Sequence, residues 1–163
     1  ISEFKDCKMD ELQVAQMAMD LLDDQQWEET EEYLIDATQD FPQSVILRYQ
    51  LIWLYNSTGY QKKAIENSRV IEKNEDLNNQ VNELLGWTML KNLKFLEAIR
   101  FYQVLCKGKD SDSVWFYLLG MCLFKSNLLG QSKKVFKHYL TLKELPTELK
   151  SNAQSYLTQL SEQ

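Results

Sequence analysis

The sequence predicts an all-α protein built from pairs of helices that repeat at one fixed interval along the chain. Small and large residues recur at that interval: the numbers of Gly86 and Gly120 differ by 34, and so do those of Tyr102 and Phe136. Helix-breaking residues are rare, with two prolines and five glycines in 163 residues. A fixed period of this length is typical of solenoids, in which each short unit packs on the next.

The same interval extends towards the amino terminus. A step of 34 from Ala98 leads back to Ala64, and Ala18 occupies the position of Gly86 in the first unit. We therefore predict a single domain over 11–163, made of repeats 11–44, 45–78, 79–112 and 113–146 and a capping helix over 147–161. Residues 1–10 are expected to be a lead-in, because the first four (ISEF) lack an initiator methionine and resemble a vector remnant.

This arrangement of small and aromatic residues resembles the tetratricopeptide repeat (TPR). The residues that carry the resemblance are Ala64, Gly86, Ala98, Tyr102 and their counterparts in the neighbouring repeats, and the resemblance covers about four fifths of the chain. It implies an α-α superhelix (TPR solenoid) of four helix-turn-helix repeats plus a C-terminal capping helix. It also implies a concave surface that is lined by the first helix of each repeat and binds a protein partner.

Local signals place the helices of the first two repeats. Asp10 is predicted to cap the first helix, with Gln13 completing a capping box, and Pro42 and Ser44 separate the second helix from the third. Gly59 is predicted to end the third helix. The expected bounds are 11–22 for the first helix, a start near Glu28 for the second, 45–56 for the third and 61–73 for the fourth. The glutamates of the second helix are interpreted as a solvated face that complements the helix dipole, rather than as a cation site.

The second half repeats the scheme. Gly108 and the polar run DSDS at 110–113 end one repeat and begin the next, and Pro146 ends the last one. Predicted helices cover 77–90, 95–106, 114–125 and 129–142. A final helix over 147–160 has apolar residues at helical spacing and a polar opposite face, as expected of a cap on the last repeat.

Charge and cysteine content exclude several function classes. The net charge is −6, yet residues 1–44 carry 13 acidic and 2 basic residues, and the remainder has a net charge of +5 that is dispersed. This distribution argues against nucleic-acid binding. The longest apolar run, residues 114–124, is too short to cross a bilayer, so no membrane insertion is expected. Cys7, Cys106 and Cys122 form no CxxC pair, which favours a reducing, cytoplasmic compartment.

The proposed concave face is unusually apolar. In tetratricopeptide repeats, positions 2, 5, 9 and 12 of each unit line this surface, and position 9 here reads Met19, Trp53, Trp87 and Met121. The apolar area of such a patch approaches or exceeds what monomers usually expose, so an apolar extended or helical segment of a partner is expected to bind there. The predicted groove residues are Leu12, Met19, Ile46, Tyr49, Trp53, Glu83, Trp87, Leu90, Val114, Tyr117, Met121 and Phe124. The alternatives are that strong curvature of the array fills the groove, or that a native amino-terminal segment or a second copy of the chain does so, and a second copy would make a homodimer.

Two family patterns bear on the partner. The carboxylate clamp of heat-shock co-chaperones uses lysine, asparagine and arginine side chains on the face where this chain has Ala15, Met19, Gln50, Gln80 and Leu84. Val114 and Leu118 do not restore the basic residues in the fourth repeat, so that role is not expected. The residues GMC at 120–122, Ser132, Phe136 and AQSYL at 153–157 resemble the last repeat and trailing helix of class II type III secretion chaperones. This resemblance implies a small, acidic chaperone that holds apolar segments. The alternative is a scaffold or adaptor subunit that joins a larger complex through its convex or polar faces.

Catalysis has no strong candidate in the sequence. The single histidine, His138, would need Cys106 or Cys122 within hydrogen-bonding reach and a third orienting group, and no local signature indicates such a dyad. There is no dinucleotide, phosphate-loop or zinc-binding pattern. We therefore expect a non-enzymatic protein without a cofactor or metal.

Overall fold

The computed structural model describes residues 9–74 and 76–162, and within these ranges every secondary-structure element is an α-helix. The lead-in predicted over residues 1–10, except Met9 and Asp10, lies outside the described residues, as does Cys7. The helices are α1 (Glu11–Asp23), α2 (Trp27–Asp40), α3 (Val45–Thr58), α4 (Gln61–Ile71), α5 (Asn79–Lys91), α6 (Phe95–Cys106), α7 (Ser113–Lys125), α8 (Leu129–Tyr139) and α9 (Thr147–Ser161).

The helices begin at strictly regular intervals. The first helices of the four pairs start at positions 11, 45, 79 and 113, and the second helices start at 27, 61, 95 and 129. Both series advance in constant steps of 34. The prediction of four helix-turn-helix units followed by a ninth helix is confirmed. One bound differs clearly: α8 ends at Tyr139, three residues earlier than predicted.

A polar side chain caps each first helix. The N-cap residues Asp10, Ser44, Asn78 and Asp112 follow the same regular spacing, and each accepts a hydrogen bond from a backbone N–H two or three residues ahead. Asp10 and Gln13 form the predicted capping box, with both bonds 2.9 Å long. Asn78 explains why α5 begins at Asn79 rather than at residue 77, because its carboxamide holds the Val81 N–H at 2.9 Å.

The turn inside each pair has the same backbone conformation. Gln25, Gly59, Leu93 and Asn127 all have positive φ angles, between 58° and 86°, and each lies at the equivalent position after the first helix of its pair. The next residue in each unit donates its backbone N–H to a carbonyl five positions back, at 2.9–3.0 Å. This is the six-to-one bond of a Schellman motif, which satisfies a carbonyl at the helix end. Only Gly59 of these four was predicted as a turn residue of this kind, because the other three are not glycine.

The chain forms two compact units that divide between Asp76 and Leu77, one containing α1–α4 and the other α5–α9. The core of unit 1 is mainly aliphatic. Ala18, Leu34, Leu47 and Ala64 are fully buried in it, and the partly buried rings of Trp27, Tyr33 and Phe41 pack against it. Helical spacing predicts that Ala64, Ile65, Ser68 and Ile71 of α4 face inward. Ala64, Ser68 and Ile71 are buried, and Ile65 is half-buried.

Unit 2 has a more aromatic core. A β-carbon added to Gly86 on α5 would lie 3.1 Å from Cζ of Tyr102 on α6, so the glycine is what allows this ring to pack against α5. At the other end, Ala153 and Leu160 of α9 are buried with Phe136 and Tyr139 of α8. The last helix therefore covers the fourth pair through its apolar face, as predicted. Its residues Lys150, Asn152, Gln154 and Gln159 are exposed.

Candidate functional site

In unit 1 the two first helices, α1 and α3, lie side by side in parallel. Two side-chain bonds join them. Ser44 at the start of α3 donates to the carboxylate of Glu11 at the start of α1. Further along, Gln50 Nε2 donates to the Ala15 carbonyl oxygen at 2.8 Å. These bonds link residues that are 33 and 35 positions apart, so residues that differ by 34 lie at the same level on the two helices.

Met19 and Trp53 differ by 34 and lie one turn beyond the Gln50 bond. Their side chains are 43% and 41% exposed, which is high for such large apolar groups. Ile46 is 38% exposed and Leu12 is 71% exposed, nearer the start of the same helices. We call the set Leu12, Met19, Ile46 and Trp53 the unit 1 apolar surface. Tyr49, also in the predicted groove set, is half-buried on α3.

Not every residue of the predicted first-helix face is available. Ala15, Leu22 and Asn56 are at most 6% exposed and are buried within unit 1. In unit 1 the side chains at repeat positions 9 and 2 therefore remain exposed, whereas most of those at repeat positions 5 and 12 are buried by packing. This face is apolar in the sequence because some of its residues belong to the core and others lie at the surface.

In unit 2, α5 exposes a single large apolar side chain on this face. Trp87 is 45% exposed, and the ammonium of Lys91 lies 4.9 Å from the centre of its indole ring. Glu83, one turn earlier on α5, is exposed, and Leu90 is half-buried. A cation one turn from an aromatic ring covers one side of that ring and leaves the rest in contact with water.

The equivalent face of α7 is largely occupied by the protein itself. Tyr117 is 7% exposed and its ring lies 5.7 Å from that of Tyr139, so it is a core residue and not a groove residue. Phe124 meets Tyr156 of α9 edge-on at 4.9 Å, and Met121 packs against the same cluster. Val114 is half-buried at the start of α7. The sequence placed Tyr117 on the surface because helix periodicity alone does not indicate where a later helix will pack.

Unit 1 also contains a pocket that no sequence pattern predicts. Its volume is about 440 Å³, and its wall combines aromatic, acidic and basic side chains from α2, α3 and α4. Trp27 forms part of this wall, and its ring lies 6.5 Å from that of Trp53, so the pocket adjoins the unit 1 apolar surface. The lining residues are Trp27, Glu28, Glu31, Leu54, Ser57, Thr58, Tyr60 and Lys63.

Lys63 has an unusual setting at this pocket. Its ammonium lies 5.4 Å from the ring centre of Tyr55, 5.2 Å from that of Tyr60 and 3.4 Å from Glu31 Oε2. Burial raises the pKa of the Tyr55 phenol, and its hydrogen bond to Glu31 raises that pKa further. The acidic face of α2 is thus solvated at Glu28, Glu29 and Glu32, but Glu31 is half-buried and bound to its neighbours. No sequence signal distinguishes Glu31 from the other three.

The residues considered for nucleophilic chemistry lie on three different helices, Cys106 on α6, Cys122 on α7 and His138 on α8. Burial raises the pKa of the Cys106 and Cys122 thiols to about 12, so both remain protonated at neutral pH. His138 is exposed on α8, and its ring lies 5.0 Å from that of Phe116. Among the residues that the structure describes, no group of three His, Cys, Asp or Glu side chains is placed to hold a metal ion. None of the helices in that part of the chain combines the length and apolar character needed to cross a membrane.

No protein-family model matches the sequence, and no curated protein sequence matches it. Solved structures do. YrrB, described as a TPR protein with an unusual peptide-binding site, aligns with a TM-score of 0.83 at 15% identity over 99% of this chain and 84% of that chain. MamA from Desulfovibrio magneticus RS-1 aligns at 0.69 with 15% identity, over 91% of this chain and 92% of its own. PilF of Pseudomonas aeruginosa aligns at 0.66 with 18% identity, over 91% and 68%. These likenesses and the regularly repeated helix pairs lead to one conclusion: this chain has the all-α tetratricopeptide-repeat solenoid fold.

Proposed function

We propose that the chain is a non-catalytic protein-interaction module that binds an apolar segment of a partner protein on the first-helix faces of its repeats. The observation that supports this most directly is the placement of Met19 and Trp53. Two parallel helices hold these large apolar side chains at the same level, and both remain more than two fifths exposed. Two such residues side by side are typical of a docking surface, whereas single exposed apolar residues need no explanation.

The chemistry of the surface favours an apolar partner segment. Tryptophan and methionine are frequent anchors at interfaces, because the indole is large and rigid and the thioether adapts to different shapes. Trp87, with Leu90 and Glu83 on α5, offers a second anchor of the same kind in unit 2. The peptide-binding site named for YrrB is a property of that protein, and its fold similarity supports the general mode of action proposed here.

A secretion-type chaperone is the specific role that we favour. The motif GMC at 120–122 with Ser132 and Phe136 is the basis for it, together with an apolar surface suited to shielding a translocated segment. A cytoplasmic location belongs to the same proposal, and the free thiols of Cys106 and Cys122 support a reducing compartment. A second copy of the chain is the competing occupant of the apolar surface. The resulting homodimer would show a molecular mass in solution that depends on protein concentration.

One observation favours a second candidate function, that of a scaffold subunit. Leu96 and Val104 on α6 are 68% and 47% exposed, and they lie about two turns apart on one side of that helix. Leu93 in the preceding turn is 73% exposed. A partner that docks on this second-helix face would make the chain an adaptor without using the first-helix surface.

Binding of a defined peptide tests the proposal. The probe is a fluorescein-labelled peptide of a dozen residues with leucine at every second position and serine elsewhere, compared with an all-serine peptide. We expect Trp53→Ala to raise the Kd for the leucine peptide at least tenfold, because anchor tryptophans at interfaces are each worth on the order of 2 kcal/mol. Fluorescence anisotropy measures the Kd, and thermal unfolding confirms that the variant is folded.

The matched control is Leu96→Ala, which removes an exposed apolar side chain from the other face. If Leu96→Ala weakens binding and Trp53→Ala does not, the scaffold function is correct. If neither peptide binds, or if both bind equally, the apolar-segment proposal is wrong. Sedimentation of the free protein over a hundredfold concentration range identifies a homodimer, and Trp53→Ala should abolish it if the apolar surface is its interface.

A further inference from the structure

The pocket beside Trp27 has features that the proposed apolar-segment binding does not use. It lies between α2, α3 and α4, and its volume of about 440 Å³ falls in the range of roughly 300–1,000 Å³ that ligand sites occupy. Two carboxylates, Glu28 and Glu31, share its wall with one ammonium, Lys63. The wall therefore carries an excess of negative charge.

The chain's own lysine indicates what this wall binds. The Lys63 ammonium lies near two tyrosine rings, at 5.2 and 5.4 Å, and pairs with Glu31. A cation near aromatic faces and a carboxylate is held by the ring quadrupoles and by charge. Glu28 differs from Glu31: within the described residues its carboxylate has no ion-pair or hydrogen-bond partner. Beside it, the half-buried indole of Trp27 provides a further aromatic face.

We propose that this pocket binds a basic side chain of the partner polypeptide, with the cation paired to Glu28 and packed on Trp27 or Tyr60. Arginine fits better than lysine, because a planar guanidinium stacks on an aromatic ring and also bonds a carboxylate through two N–H groups. The proposal rests on the proposed function and narrows the partner class: an apolar segment that contacts Trp53 has a basic residue next to it. The 6.5 Å separation of the Trp27 and Trp53 rings makes the two positions neighbours.

Charge complementarity supports this occupant over an acidic one. Residues 1–44 carry 13 acidic and 2 basic residues, so the field around α2 attracts cations. The basic group in the lining set, Lys63, is already paired with Glu31. An acidic side chain would have to compete with Glu31 for Lys63 and would meet Glu28 as well.

The test uses three small probes and one reporter. N-acetyl-arginine amide, its neutral norleucine analogue and N-acetyl-glutamate amide are titrated separately into the full chain. The reporter is the indole N–H resonance of Trp27, which is assigned by its loss in Trp27→Phe. We expect the arginine probe to shift this resonance with saturation, at a Kd on the order of millimolar for so small a ligand. The norleucine and glutamate probes should give no saturable shift.

Substitutions of the acidic and the basic pocket residues should change the Kd for the arginine probe in opposite directions. A purely structural effect of the substitutions would not do so. Glu28→Gln should weaken the arginine probe at least fivefold, whereas Glu29→Gln, one residue along the same exposed turn, should leave its Kd unchanged. Lys63→Met should strengthen binding about threefold or more, because it removes the competing cation. Equal responses to the three probes, equal effects of the two glutamate variants, or tighter binding of the glutamate probe would each overturn the proposal.

The outcome is separable from that of the proposed function. The leucine–serine peptide has no basic residue, so Glu28→Gln should leave its Kd unchanged while Trp53→Ala raises it. If the apolar peptide fails to bind but the arginine probe shifts Trp27 in a Glu28-dependent way, the pocket stands and the apolar surface does not. If the apolar peptide binds but the arginine probe gives no Glu28-dependent shift, only the pocket proposal is wrong.

Discussion

Gly120 on α7 lies directly beneath the ring of Phe136 on α8: a β-carbon at Gly120 would be 2.9 Å from both Cε1 and Cζ of that ring. Phe136 is fully buried, and Ser132, one turn earlier on α8, donates its hydroxyl to the Gly120 carbonyl at 2.8 Å. The two helices are therefore in close contact at this level, because residue 120 has no side chain.

Replacing Gly120 with alanine should destabilise the protein by about 1–2 kcal/mol. Overpacking costs roughly 1–3 kcal/mol, and the better helix propensity of alanine offsets about 0.5–1 kcal/mol of it. Urea denaturation followed by tryptophan fluorescence measures the change. The control is Gly130→Ala on α8, where a β-carbon meets nothing within 4 Å, so this variant should be as stable as the parent or slightly more so. Equal effects at the two glycines would contradict the packing argument.

Substitutions at the left-handed turns should rank in their effect on stability according to the residue type that each turn contains. Leu93→Gly is expected to stabilise the protein by up to about 1 kcal/mol, because a branched side chain at φ 59° is strained and the Leu93 side chain is 73% exposed. Gly59→Ala should cost about 1–2 kcal/mol, since nothing crowds that position and only its φ of 86° opposes a side chain. Asn127→Gly should change stability little, because asparagine tolerates this conformation. Denaturant midpoints measure all three, and a destabilising Leu93→Gly would refute the ranking.

The raised thiol pKa values should make the stability of the protein fall at alkaline pH. Burial raises the pKa of Cys106 and Cys122 to about 12 in the native state, well above the ordinary value of a thiol. A raised pKa stabilises the protein below the unfolded-state pKa, and this contribution is lost as pH rises from about 8.5 towards 12. We expect the free energy of unfolding to fall across this range and to fall less steeply in Cys122→Ala.

The same burial should protect Cys122 from reagents. In a Cys7→Ser, Cys106→Ser background, a disulfide reagent such as Ellman's should react with Cys122 at least a hundredfold more slowly in buffer than in urea, because the side chain is fully buried. Fast reaction in buffer would mean that α7 opens locally at low cost.

The last helix should protect the apolar face of α7. Tyr156 stacks on Phe136 with an interplanar angle of 9° and meets Phe124 edge-on, both at 4.9 Å. Tyr156→Ala should therefore cost about 2–4 kcal/mol and increase binding of the dye ANS, because Phe124 loses its cover. Gln154→Ala on the exposed side of α9 is the control. Unchanged dye binding in Tyr156→Ala would show that α9 does not shield this face.

The helices could be predicted from the sequence because their signals are local. Asp10, Ser44 and Gly59 act on backbone groups within a few residues, so their effect does not depend on the rest of the molecule. The turns at Leu93 and Asn127 were predictable in place but not in conformation, since neither residue is one that by itself requires a positive φ. Their conformation follows from the helix pair that each turn must join.

The candidate site was only partly predictable. Met19, Trp53 and Trp87 were identified from the repeat period and are exposed, whereas Tyr117 was assigned to the same face and is buried against Tyr139. The pocket beside Trp27 could not be predicted, because its lining comes from three helices whose side chains meet only after packing.

The sequence by itself determined the fold class, the period and most of the helix starts, because capping, turn formation and the alternation of small and large residues act over short stretches of chain. Tertiary structure alone decided which apolar residues are core and which are surface. It brought α9 onto the face of α7, and it placed Lys63 beside Tyr55, Tyr60 and Glu31. Helix periodicity defines a face, but burial depends on what packs against that face, and the packing partner is set by contacts between residues far apart in the chain.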